Sequence, residues 1–352
     1  MKKSLIALAA LAAVTAASAQ STVTISGAMV LGVGTTEIGT ANSGLQIARQ
    51  TGNIQFAGTE DLGGGLKAGF ALQTAIGAAA TTDQTVSIAA NRTLLGDRAA
   101  NITLSGGFGT VLVGKANTGV KTLMGVADVS GIPVISGLSA SSSAATTEAA
   151  NGVYVNAGSD ANARIIYGDT YSNQVGYASP AMNGFTVSVG IAPSQTVNTS
   201  VGNDGSTKDT ISYSLAYANG PIAANVNFND VLTGTAPYKM TTVAANYDLG
   251  VIKIGVAQQS IRPATGTSPG NGTMITANVP MGSGAFGFGY GRRTAAAQTS
   301  TSFGDEVKQT YFGYKHNLSK RTSISATYNT IDRSAASGTD LKETHILVGH
   351  SF

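Results

Sequence analysis

His345-Ile346-Leu347-Val348-Gly349-His350-Ser351-Phe352, written HILVGHSF, ends the chain, and its reading decides the fold. In an extended strand Ile346, Val348, His350 and Phe352 fall on one side, and Leu347, Gly349 and Ser351 on the other. Chain ends are usually polar and frayed. A chain that stops inside a strand, on an aromatic residue, implies that the strand is held by a partner.

The same period of two recurs upstream. In Ile211-Ser212-Tyr213-Ser214-Leu215-Ala216-Tyr217 every odd residue is large and every even one small. In Ile222-Ala223-Ala224-Asn225-Val226-Asn227-Phe228 the even residues are apolar. Phe286, Phe288 and Tyr290 alternate with Gly287, Gly289 and Gly291; Phe312, Tyr314 and His316 alternate with Gly313 and Lys315; Ile324, Ala326 and Tyr328 alternate with Ser323, Ser325 and Thr327. Each pattern is a strand with one apolar face and one small or polar face.

Turn residues join these strands at Ala218-Asn219-Gly220-Pro221, Tyr247-Asp248-Leu249-Gly250, Met281-Gly282-Ser283-Gly284 and Asn317-Leu318-Ser319-Lys320. The connections on the other side are long and rich in Ser, Thr, Gly and Asn: 193–207, 262–272, 294–305 and 332–339. Short connections alternating with long ones describe an up-and-down meander, the layout of a transmembrane barrel. From Ala116 to Arg164 the strand rhythm stops, and a structureless stretch of that length is usually functional or disordered.

Composition narrows the class further. Lys2 and Lys3, the apolar run Leu5–Ala17 and the small-residue site Ala17-Ser18-Ala19 read as a secretory signal peptide over residues 1–19. That leaves 20–352 as one domain of 333 residues, with 19 basic and 18 acidic side chains and a formal charge of +1. So balanced a chain is not expected to bind nucleic acid. Only 11% of the residues are charged, 45 are glycine and none is cysteine, so disulfide and thiolate chemistry are excluded. No other stretch reaches the roughly 20 apolar residues of a transmembrane helix.

A soluble sandwich would also alternate with period two. Three features favour a barrel whose apolar face meets lipid: a polar face that is small and neutral, aromatics near strand ends, and low charge throughout. In a barrel every backbone hydrogen bond is made between strands and no edge is left free. The last strand then pairs with the first, and Phe352 joins an interfacial aromatic girdle.

Several segments in order resemble the Gram-negative general porins, in particular those of beta-proteobacteria. They are Ser21–Gly27 (STVTISG), Phe56–Ala68 (FAGTEDLGGGLKA), Leu104–Val111 (LSGGFGTV), Ser179–Phe185 (SPAMNGF), Leu318–Thr322 (LSKRT) and the terminal His350-Ser351-Phe352. The resemblance covers essentially the whole of 20–352. It implies an all-β, antiparallel up-and-down transmembrane barrel of about sixteen strands in the outer membrane, assembled as a homotrimer. It also implies a long third loop, here 116–164, folded into the lumen as a constriction. Further partners implied are lipopolysaccharide and other outer-membrane lipid, the barrel-assembly machinery that reads a terminal Phe352, and small hydrophilic solutes and ions. No cofactor is implied.

Charge at the constriction and pore diameter decide what such a channel passes. The basic candidates on the wall are Arg49, Arg92, Arg98, Lys115 and Arg164; the acidic candidates on the loop are Asp128, Glu148 and Asp160. The family often carries arginine where this chain has Asn53 and Gly176, so the basic ladder is thinned. Strong anion selectivity is then expected only if Arg49 or Arg164 compensates. Arg98 shares its alternation with Ala100, Ile102 and Leu104; on a regular strand that places it on an apolar face, at a cost of about 2–4 kcal/mol near the bilayer midplane.

Other motifs read as structural. Glu60-Asp61 precedes Leu62-Gly63-Gly64-Gly65 and marks a hairpin turn rather than an acid/base or Ca²⁺ site. That glycine run lacks the Lys-Ser/Thr ending of a P-loop. His316, His345 and His350 lack the spacing of a zinc site or a catalytic triad. The leading expectation is a passive diffusion channel. A substrate-specific channel, a non-channel structural or adhesin barrel, and a barrel enzyme are the alternatives.

Overall fold

The structure is a computed structural model describing residues 22–39, 41–76, 95–96, 98–133, 165–166, 171–193, 210–231, 238–263, 271–294, 306–333 and 340–352. Its strands are β1 (Thr22–Ile38), β2 (Ala41–Gly63), β3 (Leu66–Ala75), β4 (Ala99–Gly106), β5 (Gly109–Asn117), β6 (Tyr171–Ala178), β7 (Phe185–Ala192) and β8 (Thr210–Asn219). They continue with β9 (Ile222–Val231), β10 (Tyr238–Asp248), β11 (Lys253–Pro263), β12 (Asn271–Met281), β13 (Gly284–Arg293), β14 (Val307–Asn317), β15 (Thr322–Arg333) and β16 (Leu341–Ser351). Among the described residues a helix, α1 (Gly119–Ala127), follows β5.

Each strand pairs antiparallel with its sequence neighbours, and β1 pairs with β16, so the sheet closes into a barrel. The closing register runs from Ala28 opposite Ser351 to Ile38 opposite Leu341. One residue beyond β16, the Gly27 and Phe352 backbones exchange two hydrogen bonds of 3.0 Å each. Closure therefore pairs the N–H and C=O groups of both terminal strands, which an open sheet would leave as unsatisfied edges in a membrane.

The period of two is resolved into an inside and an outside. On β16, Ile346 and Val348 are 57% and 48% exposed, whereas Leu347 and His345 are 0% and 3% exposed. The row containing Ile346 points to lipid and the row containing Leu347 points to the lumen. Phe286, Phe288, Tyr290 and Phe312 lie on the outside, and the alternating Gly287, Gly289, Gly291 and Gly313 lie inside. Outward aromatics pair across strands near the short-turn end: Phe185 with Tyr217 at 4.6 Å and Phe286 with Tyr314 at 4.8 Å between ring centroids. Such girdles sit where hydrocarbon gives way to headgroups.

The short turns form where sequence chemistry supplies them. The Asp61 carboxylate accepts a 2.9 Å hydrogen bond from the Gly63 N–H, and Asp248 does the same for Gly250. Gly250 has φ +80, a conformation that a side chain would strain. At the opposite rim the outward residues are charged. Lys239 pairs with Asp230 at 3.0 Å, and Glu306 contacts Arg292 at 2.9 Å and Lys308 at 3.3 Å. The hydrogen bond from Lys308, with Arg292 beside it, holds the exposed Glu306 carboxyl below the usual range.

Candidate functional site

After β5 the chain turns into the lumen. Thr118 caps α1, its hydroxyl accepting from the Lys121 N–H at 3.3 Å. Val120, Leu123, Met124 and Ala127 are the buried residues of α1. Their i, i+3, i+4, i+7 spacing makes one stripe of a helix, and α1 packs on the inner wall from β8 to β12. The stripe joins Ala244, Ala257 and Met274 of the wall in one apolar cluster inside the barrel. The Asp128 N–H closes the helix on the Met124 carbonyl at 2.9 Å.

Hydrogen bonds then fasten this segment to the far wall. Asn246 donates to the Val126 carbonyl at 2.8 Å, Thr276 to the Ala127 carbonyl at 2.7 Å, and Asn278 to the Ser130 carbonyl at 2.7 Å. Asp128 Oδ1 accepts from the Tyr311 hydroxyl at 2.9 Å, the Ser130 hydroxyl at 2.7 Å and the Ser130 N–H at 3.1 Å. Each bond contributes about 0.5–1.5 kcal/mol, more where a carboxylate accepts.

The inward glycines explain how backbone can meet backbone here. A Cβ at Gly255 would collide with the Ala127 carbonyl, and one at Gly287 with Ile132 and the Ser130 carbonyl. Gly313 lies against Ile132, and Gly272 against the Ile165 carbonyl. Aromatic-outside, glycine-inside alternation on β13 and β14 thus combines lipid contact with a track for the inserted segment.

The inner face of β1–β8 differs. Gln55 and Gln73 face each other across β2 and β3, and Asn101, Gln174, Ser188 and Ser212 point the same way. All six are partly exposed, whereas Asn227, Thr242, Gln259 and Thr276 on the α1 side are 0–1% exposed. Among the described residues, the full charges on inward positions of β1–β8 are Asp61 and Lys67, opposite one another at the short-turn rim.

The charged candidates are distributed as follows. Asp128 lies inside the barrel, bonded to Tyr311. Lys115 stands opposite Ala100, in the row of Val113 and Ile102, which are 56% and 67% exposed; that row points out of the barrel. Arg49 stands opposite Leu31, because a bulge between Val30 and Leu31 shifts the β1–β2 register. Arg98 is buried and precedes β4, its N–H donating to the Gln73 carbonyl at 3.2 Å. The chain folds back at Gly96 against Leu72 and Ala100, so Arg98 belongs to a loop rather than to a lipid-facing strand. Arg92, Glu148, Asp160 and Arg164 lie outside the described residues.

Sequence alone does not single out α1, although its apolar spacing is visible in Val120, Leu123, Met124 and Ala127. Nor does it single out Lys121, which lies beside that stripe and is partly exposed, or Tyr311, whose hydroxyl role has no sequence signal. His316 lies on β14, and His345 and His350 point to opposite sides of β16. Among the described residues no cluster of His, Asp and Glu could hold a metal.

A sequence profile for the Gram-negative porins matches residues 7–336. The chain belongs to that family. Outer membrane porin protein 32 of Delftia acidovorans is 31% identical to this porin over 342 residues, covering 92% of this chain and 88% of the relative. The solved anion-selective porin from Comamonas acidovorans superposes with a TM-score of 0.68 at 22% identity, covering 95% and 100% of the two chains. OmpT of Vibrio cholerae in a trimer form gives 0.60 at 12% identity, covering 94% and 99%. This porin is an outer-membrane channel protein, and the closed barrel accounts for its place there.

Proposed function

We propose that residues 116–164 form the constriction of a passive diffusion channel for ions and small hydrophilic solutes. The observation that carries this reading is the fastening of Val126–Ile132 across β10–β14, within the lumen, by side-chain hydrogen bonds and inward glycines. A segment held on one wall narrows the water path against the other. The reading assigns no catalysis to the chain. It takes the working unit as a homotrimer, the form in which OmpT of Vibrio cholerae has been solved. It takes Phe352 as the signal for barrel assembly, and outer-membrane lipid, including lipopolysaccharide, as the surrounding partner.

The test is single-channel conductance in planar bilayers for wild type and Gly255→Val. The added side chain displaces the Ala127 carbonyl from β11, so larger and noisier steps are expected from barrels that keep their heat-modifiable gel mobility. Unchanged steps from a folded variant would show that the segment does not limit the current. Absence of steps from inserted wild-type protein would favour a structural or adhesin barrel instead.

A further inference from the structure

We infer that this channel is built for uncharged, hydroxyl-rich solutes such as small saccharides, with the wall contributing no ionic preference. The inference rests on the channel reading above. It follows from where the inserted segment docks. The β8–β14 side of the lumen is occupied by α1 and the residues after it, and the inward side chains of β15 and β16 are buried, so the water-facing wall is that of β1–β7 and the adjoining face of β8. Gln55, Gln73, Asn101, Gln174, Ser188 and Ser212 line that wall.

Amides and hydroxyls each donate and accept. A polyol can therefore exchange its bonds to water for bonds to this wall at little cost, because the net difference between the two is small. A bare ion gains no opposite charge there. Of the basic candidates whose side chains are described, Lys115 registers with an outward row and Arg98 is buried ahead of β4. Asp61 and Lys67 oppose each other at the rim. Facing this wall from the rest of the lumen, the described residues place charge at Lys121 and Asp128 on the inserted segment and at the inward positions Arg293, Lys315 and Glu343 of β13, β14 and β16, so any residual ionic preference comes from the inserted segment and that side of the barrel.

Two measurements on the purified full-length porin test this. One is the zero-current potential in a planar bilayer under a KCl gradient. The other is liposome swelling with glucose, gluconate and glucosamine, which are similar in size and differ in charge. We expect a K⁺/Cl⁻ permeability ratio within about threefold of one and comparable swelling rates for the three solutes. Lys121→Gln is expected to move the ratio toward one, and Gln55→Arg with Gln73→Arg to make the channel clearly anion-selective. A wild-type preference of about tenfold or more for either ion overturns the inference, as does a folded Gln55→Arg/Gln73→Arg variant with unchanged selectivity. No conductance from inserted wild type overturns the channel reading itself, a result distinct from conduction with strong selectivity.

Discussion

Tyr311 illustrates how a single residue links wall and loop. Its ring lies over Gly289, where a Cβ would collide with it, and its hydroxyl meets Asp128 Oδ1 at 2.9 Å. Tyr311→Phe removes that bond while Ser130 continues to donate to the carboxylate, so the expected cost is about 1–2 kcal/mol of docking energy. The barrel should survive, and the open-channel current should become noisier as the segment samples undocked positions. Current-noise spectra of wild type and Tyr311→Phe check this; identical spectra would mean that the remaining bonds suffice. Nothing in Gln309-Thr310-Tyr311-Phe312 announces this role, because a tyrosine on the small-residue face of a strand is equally compatible with a solvent-facing hydroxyl. Asp128 was legible as a loop acid but not as an anchor, since its partner is 183 positions away.

At the scale of elements, α1 and the strands have different sources of stability. The strands are held by continuous ladders of backbone bonds, whereas α1 has nine residues and is too short to persist on propensity alone. Its stability comes from Leu123 and its neighbours in the intrabarrel cluster. Leu123→Ala should cost about 2–5 kcal/mol, all of it falling on the inserted segment. Limited proteolysis should then cut after α1 sooner than in wild type, while the heat-modifiable mobility stays unchanged; loss of that mobility would mean that the helix also supports the wall. The strands were legible because lipid on one side and a lumen on the other impose strict alternation. The helix was obscured because Gly119 and Gly125 flank its stripe and suggest a loop.

At the scale of the whole molecule, closure is the feature on which the rest depends. Deleting Phe352 removes both of its backbone hydrogen bonds to Gly27 and the ring that lies against that glycine. Refolding yield in detergent and the temperature of the heat-modifiable shift should both fall, with the substitution Phe352→Ala intermediate because it retains the backbone pair. Equal yields for the deletion and wild type would mean that closure is complete without the last residue.

Local patterning determined much of this protein. The alternating strands, the short turns opposite long connections, a final strand that needed a partner and the break in rhythm after Ala116 all depend on neighbours a few residues apart, which sequence displays. Tertiary structure decided which row faces the lumen and what lines it. Arg49 is spaced by even steps from Asn53 and Gln55, yet one extra residue between Val30 and Leu31's partners places it opposite Leu31, in the row of Ile47 and Leu45. A bulge of one residue reverses the side to which every later position belongs. The docking site of the inserted segment likewise exists only once strands distant in sequence bring Asn246, Thr276, Asn278 and Tyr311 onto one wall.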